Sequence, residues 1–142
     1  MYEVKYSYTS VDHKGNDKVV KETIICENAA TFGDAEEIAY NHVSGETDVD
    51  VFAVKRSPIK EIVNRRTNDN EKIFLATIID YFYVEGKEEP VENKYILALH
   101  AEDINKAHAI VREHLKQGLD DMELVALRCT KIVDIVEWED HS

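Results

Sequence analysis

The chain has 142 residues, 44% hydrophobic and 32% charged, which is enough apolar material for a compact domain and lies outside the composition of disordered chains. Its 29 acidic residues outnumber 17 basic ones, a formal charge of −12, so the surface repels phosphate backbones and general nucleic-acid binding is disfavoured. No apolar run reaches the ~18–20 residues of a membrane span, and Met1-Tyr2-Glu3-Val4-Lys5 lacks the layout of a signal peptide, so a cytoplasmic protein without membrane contact is expected.

In chain order, Val4, Tyr6 and Tyr8 alternate with Lys5 and Ser7 as in a strand, Asp12 to Asp17 turns the chain, and Val19 to Cys26 returns. Thr31 ahead of Asp34 has the character of a helix N-cap, and Gly45 is the matching stop. Between them Phe32, Ala35, Ile38, Ala39 and Val43 recur at the spacing of one buried helix face. A strand from Val49 to Val54 follows. The next apolar run, Ile59-Lys60-Glu61-Ile62-Val63, either continues that strand past a bend at Ser57-Pro58 or starts another.

Asn64 to Lys72 reads as a polar linker carrying Arg65 and Arg66. A second hairpin then runs from Phe74 to Val84, turns around Glu85-Gly86-Lys87, and returns over Tyr95 to Leu99, with Pro90 predicting a longer loop than the first. Asp103 opens a second helix whose inward face is Ile104, Ala107, Ile110, Val111 and Leu115, and Gly118 closes it. A strand from Leu124 to Arg128 comes after Asp120-Asp121, and the tail Ile132-Val133-Asp134-Ile135-Val136 repeats the pattern of 59–63.

The two halves match. Ala35 falls on Ala107, Ile38 on Ile110 and His42 on His114, while the block from Ala53 to Val63 falls on Ala126 to Val136. The predicted architecture is therefore α+β: a tandem duplicated ββαβ unit, mainly antiparallel, with two helices. Repeat one spans 1–63, a linker 64–72 and repeat two 73–138, and the halves are expected to pair about a pseudo-two-fold axis into a single domain over 1–142. One continuous six-strand sheet and two facing three-strand sheets both satisfy the pattern. Cys26 and Cys129 each sit in an apolar run without a C-x-x-C partner, so both are expected to be buried, inert thiols.

The run Tyr2-Glu3-Val4-Lys5-Tyr6, the block from Thr31 to Glu36, the stretch from Ala53 to Ile62, and Asp121 to Val125 leading to Thr130–Ile135 resemble the domain of unknown function 4494 family. That family is common in Bacteroidota and in the phages that infect them. The resemblance covers nearly the whole chain and implies an origin in that setting; it brings no assigned catalytic or binding residue. Pro90 and the acidic residues around it depart from the family pattern.

Several chemistries lack their apparatus. There is no Gly-x-Gly-x-x-Gly, and Gly86-Lys87 runs into Glu88 where a phosphate-binding loop needs Ser or Thr. His-Glu-x-x-His and Gly-x-Ser-x-Gly are missing, and His108 and His114, six residues apart, are turned about 240° from each other on a helix. The expectation is accordingly no enzyme, no cofactor and no metal.

What remains is a set of binding candidates. In a chain that is acidic almost throughout, Lys55 and Arg128 occupy equivalent strand positions, with Arg56, Lys60 and Lys131 beside them. Such a pair could hold a small anion such as a nucleotide, with Tyr6 and Tyr8, or Tyr2, Tyr81, Phe82 and Tyr83 of the first hairpin strands, stacking on its base; otherwise these aromatics fill a covered sheet face and the cations neutralise Glu61 and Asp134. His42 and His114 stand at matched positions, either converging on the two-fold axis as a ligand site or flanking their helices as satisfied side chains. Asp48 and Asp50 lie at one strand start and Asp120 and Asp121 fill the same region in the other half, as a weak divalent-cation site or as solvated turn carboxylates. The leading expectation is an acidic, homo-oligomeric interaction module of phage or mobile-element type that binds or sequesters a host protein. The alternative is a small-molecule binder, a sponge for nucleotide signals on the basic strand pair.

Overall fold

A computed structural model describes residues 1–118 and 121–137 of the chain. Two four-stranded mixed sheets are present, each with one helix. The first hairpin joins β1 (Tyr2–Val11) to β2 (Asp17–Cys26), in register from Tyr2 opposite Cys26 to Val11 opposite Asp17. Its turn is held by Asp12, whose Oδ1 accepts from the backbone N–H groups of Lys14 and Asn16, each at 2.9 Å. Helix α1 (Phe32–His42) begins where Thr31 Oγ1 accepts from the Asp34 N–H at 3.0 Å, and β3 (Thr47–Arg56) then pairs antiparallel with β1.

The tail of this half starts a new strand, β4 (Ile59–Asn64), and leaves the sheet. Ser57 N–H donates to the Met1 carbonyl at 2.9 Å, closing the ladder of β3 on β1, and Pro58 has no N–H with which to extend it. β4 pairs parallel with the second strand of the following half.

That half repeats the plan with β5 (Lys72–Phe82), β6 (Val91–Ala101), α2 (Ile104–Lys116) and β7 (Asp121–Cys129). Asp103 Oδ1 caps α2 by accepting from the Lys106 N–H at 2.9 Å. Thr130 does what Ser57 does: its N–H and hydroxyl donate to the Ile73 carbonyl at 3.0 and 2.8 Å, after which β8 (Ile132–Val136) crosses back and pairs parallel with β2. The strand orders are β3-β1-β2-β8 and β4-β6-β5-β7. The chain thus forms two compact units, the first from Met1–Ser57 and the segment from Lys131 onward, the second from Pro58–Thr130, each completed by a strand encoded in the other half.

Each unit has its own core. Tyr2, Val4, Tyr6, Ile24 and Cys26 present one face of the first sheet to Ala35, Ile38, Ala39 and Val43. In the second unit Phe74, Ala76, Ile78, Leu97 and Leu99 meet Ala107 and Val111. The alanines let each helix lie close on its sheet, and a fully buried Leu or Ile there stabilises by roughly 1.5–3 kcal/mol. Phe32 and Ile104, expected inside, are half exposed at the first position of each helix, although the Phe32 ring meets Tyr2 edge-on at 4.9 Å. Cys129, also expected inside, is exposed because it ends the edge strand β7, whereas Cys26 lies in the core and burial pushes its thiol up to about 11. Helix α2 ends at Lys116 with Gln117 as cap; Gly118 beyond it leaves room for Met122, whose methyl would lie 2.1 Å from a Cβ there. No described helix is long and apolar enough to cross a membrane.

Candidate functional site

The candidate residues divide between the units. In the first, Tyr6 is fully buried and its hydroxyl donates to Glu22 Oε1 at 3.1 Å; burial, and then the Glu22 charge, hold that hydroxyl well above the ordinary phenol range. Tyr8, half-buried, lies with its ring 6.3 Å from that of Tyr6 and nearly parallel to it, and the ring of the exposed His42 meets Tyr6 edge-on at 6.4 Å. The structure therefore brings Tyr6, Tyr8, His42 and Glu22 together as the end of a core.

Of the cations predicted to accompany them, those of the same sheet lie at the other end of β3. Lys55 reaches Glu3 at 2.9 Å, and the Arg56 guanidinium lies 6.0 Å from the Tyr2 ring. Arg56 pairs opposite Tyr2 and Val51 opposite Tyr6, so four residues of strand, roughly 13 Å, separate the basic end of β3 from the tyrosine pair. Arg128 is exposed on β7 of the second unit, and Lys131 is exposed where the chain returns to the first. His114 faces Glu61 of β4, its Nε2 at 3.9 Å from the carboxylate, so each matched histidine has a neighbour within its own unit. Asp48 and Asp50 are exposed, Asp120 lies outside the described residues, and no group of three or more His, Cys, Asp or Glu side chains is placed to hold a metal among the described residues.

Two surfaces of the second unit stand out. The β5–β6 connection, residues 83–90, carries Tyr83 at 76% exposure beside Phe82 at 41% and Val84 at 41%. Glu85, Glu88 and Glu89 frame it, Gly86 turns it at a φ of 88°, and Lys87 N–H closes the turn on the Val84 carbonyl at 3.1 Å. The first hairpin has no such tip: its connection, 12–16, is short and contains no Phe, Tyr or Trp.

The second surface is a groove of about 510 Å³ between α2 and β7, lined by His108, Arg112, Leu115, Lys116, Met122, Glu123 and Leu124. Tyr95 fixes its floor by donating to Met122 Sδ at 3.0 Å, and Tyr81 occupies Glu123 by donating to Oε2 at 2.8 Å, a bond that raises the Tyr81 hydroxyl above its usual range. Sequence reasoning passed over this groove. The spacing 108, 112, 116 marks one helix face in the sequence, and only the fold sets that face beside β7.

Taken together, the structure is a duplicated α+β protein of two ββαβ-like units, each completed by a strand from the other half. The chain belongs to the family described as Domain of unknown function (DUF4494), whose model matches residues 1–138. No curated protein and no solved structure matches it.

Proposed function

We propose that this protein is a non-enzymatic interaction module, acting in the cytoplasm of a bacterial host, that binds and sequesters a basic host protein through the β5–β6 tip. One observation carries the reading: the consecutive Phe82, Tyr83 and Val84 are all exposed, in a connection that carries Glu85, Glu88 and Glu89 against the single cation Lys87. Large exposed aromatics are the residue type that anchors protein interfaces, and the acidic rim, backed by a chain charge of −12, favours a Lys/Arg-rich partner and speeds encounter with it. Self-association belongs to the same reading, because β3 and β7 are edge strands of their sheets among the described residues, and an edge ladder is a template for pairing with a second copy.

The test is affinity capture from a Bacteroidota host lysate, with wild type compared against Tyr83→Ala and Glu85→Gln/Glu88→Gln/Glu89→Gln. Wild type should retain a basic protein whose capture weakens with salt. Loss of an aromatic anchor worth about 2 kcal/mol should reduce its affinity roughly thirtyfold. Equal recovery by all three proteins would remove the tip from the account, and sedimentation as a monomer at every concentration would remove self-association.

A further inference from the structure

We infer that the α2–β7 groove is a binding site for an organic phosphate monoester with an apolar or aromatic body, distinct from the β5–β6 tip and from the basic strand ends. His108, Arg112 and Lys116 follow each other at i, i+4 and i+8, so each is turned only about 40° from the last, and the three span about 12 Å along one side of α2. They line one wall of the groove. Among the described residues neither Arg112 nor Lys116 has a carboxylate within ion-pair distance, while the acidic member of the lining, Glu123, accepts the Tyr81 hydroxyl. Two adjacent cations match a phosphate monoester, which carries close to two negative charges near neutral pH, better than a single carboxylate, and the guanidinium supplies a fork of donors to its oxygens.

The floor selects the rest of the ligand. Leu115, Met122 and Leu124 offer an apolar surface beside the cations, and the Met122 thioether, positioned by Tyr95, is the polarizable kind of group on which a flat ring packs well. Inorganic phosphate would use only the wall, and an uncharged nucleoside only the floor.

The duplication supplies an internal control. Aligning Ala35 with Ala107 puts Glu36, Tyr40 and Ser44 of α1 opposite His108, Arg112 and Lys116; aligning Ala53 with Ala126 puts Asp50 opposite Glu123. With histidine neutral, Arg112, Lys116 and Glu123 sum to +1, whereas Glu36 and Asp50 sum to −2. The scaffold folds with an acidic flank in one unit, so the cations of the other are not a requirement of the fold. In a chain of charge −12 they create a local reversal of sign.

Calorimetric titration of the intact chain with adenosine monophosphate, adenosine and inorganic phosphate tests this. The monophosphate should bind at least about tenfold more tightly than either fragment, and Arg112→Gln/Lys116→Gln should weaken it by at least tenfold while Lys55→Gln leaves it unchanged. Both substitutions fall on exposed positions, and unchanged thermal melts will show that the fold is kept. Absence of binding by the monophosphate at millimolar concentration, equal binding of adenosine, or undiminished binding by the double variant would overturn the proposal.

Discussion

Glu36, Tyr40 and Ser44 on α1 and His108, Arg112 and Lys116 on α2 occupy the same places on the same supersecondary plan, yet one flank is acidic and the other cationic. The hairpin tips diverge in the same unit-specific way, 12–16 being short and 83–90 longer, aromatic and acidic. What the units share is the machinery of folding: a capped helix, alanines where it touches the sheet, and a closing bond from Ser57 or Thr130 to the first strand. Duplication separates the two kinds of residue. Positions kept in both halves hold the sheets together, and positions that differ on exposed surfaces are where binding is to be sought.

The comparison can be broken first at the core. Ile24 and Leu97 are both 0% exposed at corresponding strand positions, so Ile24→Ala and Leu97→Ala should each cost about 2–5 kcal/mol by urea denaturation. If one unit tolerates the truncation freely, the shared framework is wrong. The thiols come next. Cys26 is buried with its thiol pushed from 9.0 to about 11, which alone cuts its reactive fraction roughly a hundredfold below pH 9, while Cys129 is exposed. Alkylation should label Cys129 in the native protein and Cys26 only after unfolding; native labelling of Cys26 would show that its sheet opens.

A gentler test concerns the segment between β4 and β5. There the Glu71 carboxylate accepts from the Thr67 N–H, from the Thr67 hydroxyl at 2.8 Å and from the Asn68 N–H at 2.9 Å, bonds that hold it below its ordinary value of 4.5. A lowered carboxyl contributes stability that is fully present above about pH 4.5 and lost as the pH falls through its depressed value. The protection factors of the Thr67 and Asn68 amides, each taken against the intrinsic exchange rate at the same pH, should therefore fall in acid, and fall in Glu71→Gln at neutral pH; protection indifferent to both would refute the role. The smallest effect is expected at Lys55, whose ion pair with Glu3 is largely exposed on the lysine side, so Lys55→Gln should shift stability by no more than about 0.5 kcal/mol.

Much of the framework was legible locally. Thr31 and Asp103 announced their helices, and the alternation of Val4, Tyr6 and Tyr8 announced a strand, because caps and half-buried strands write their physics into neighbouring residues. The exchange of β4 and β8 was not, since Ile-x-Glu-Ile-Val and Ile-x-Asp-Ile-Val have the same pattern whichever sheet receives them, and a parallel partner lies far along the chain. The bend at Ser57-Pro58 was visible and its consequence was not. Among the site candidates, Tyr6 read as available for stacking because alternation does not say which face a helix covers. The α2 stripe starts one residue beyond the match of Ala35 with Ala107, at positions where the halves differ, and a pattern shared by both halves does not mark it.

The central claim, that binding resides where the halves differ, is tested most directly by two-dimensional amide NMR of the intact chain titrated with adenosine monophosphate. The predicted result is saturable shifts at residues 108–116 and 122–124, with the matched positions 36–44 and 49–51 undisturbed. Shifts of equal size in both sets, or shifts confined to the first unit, would contradict it.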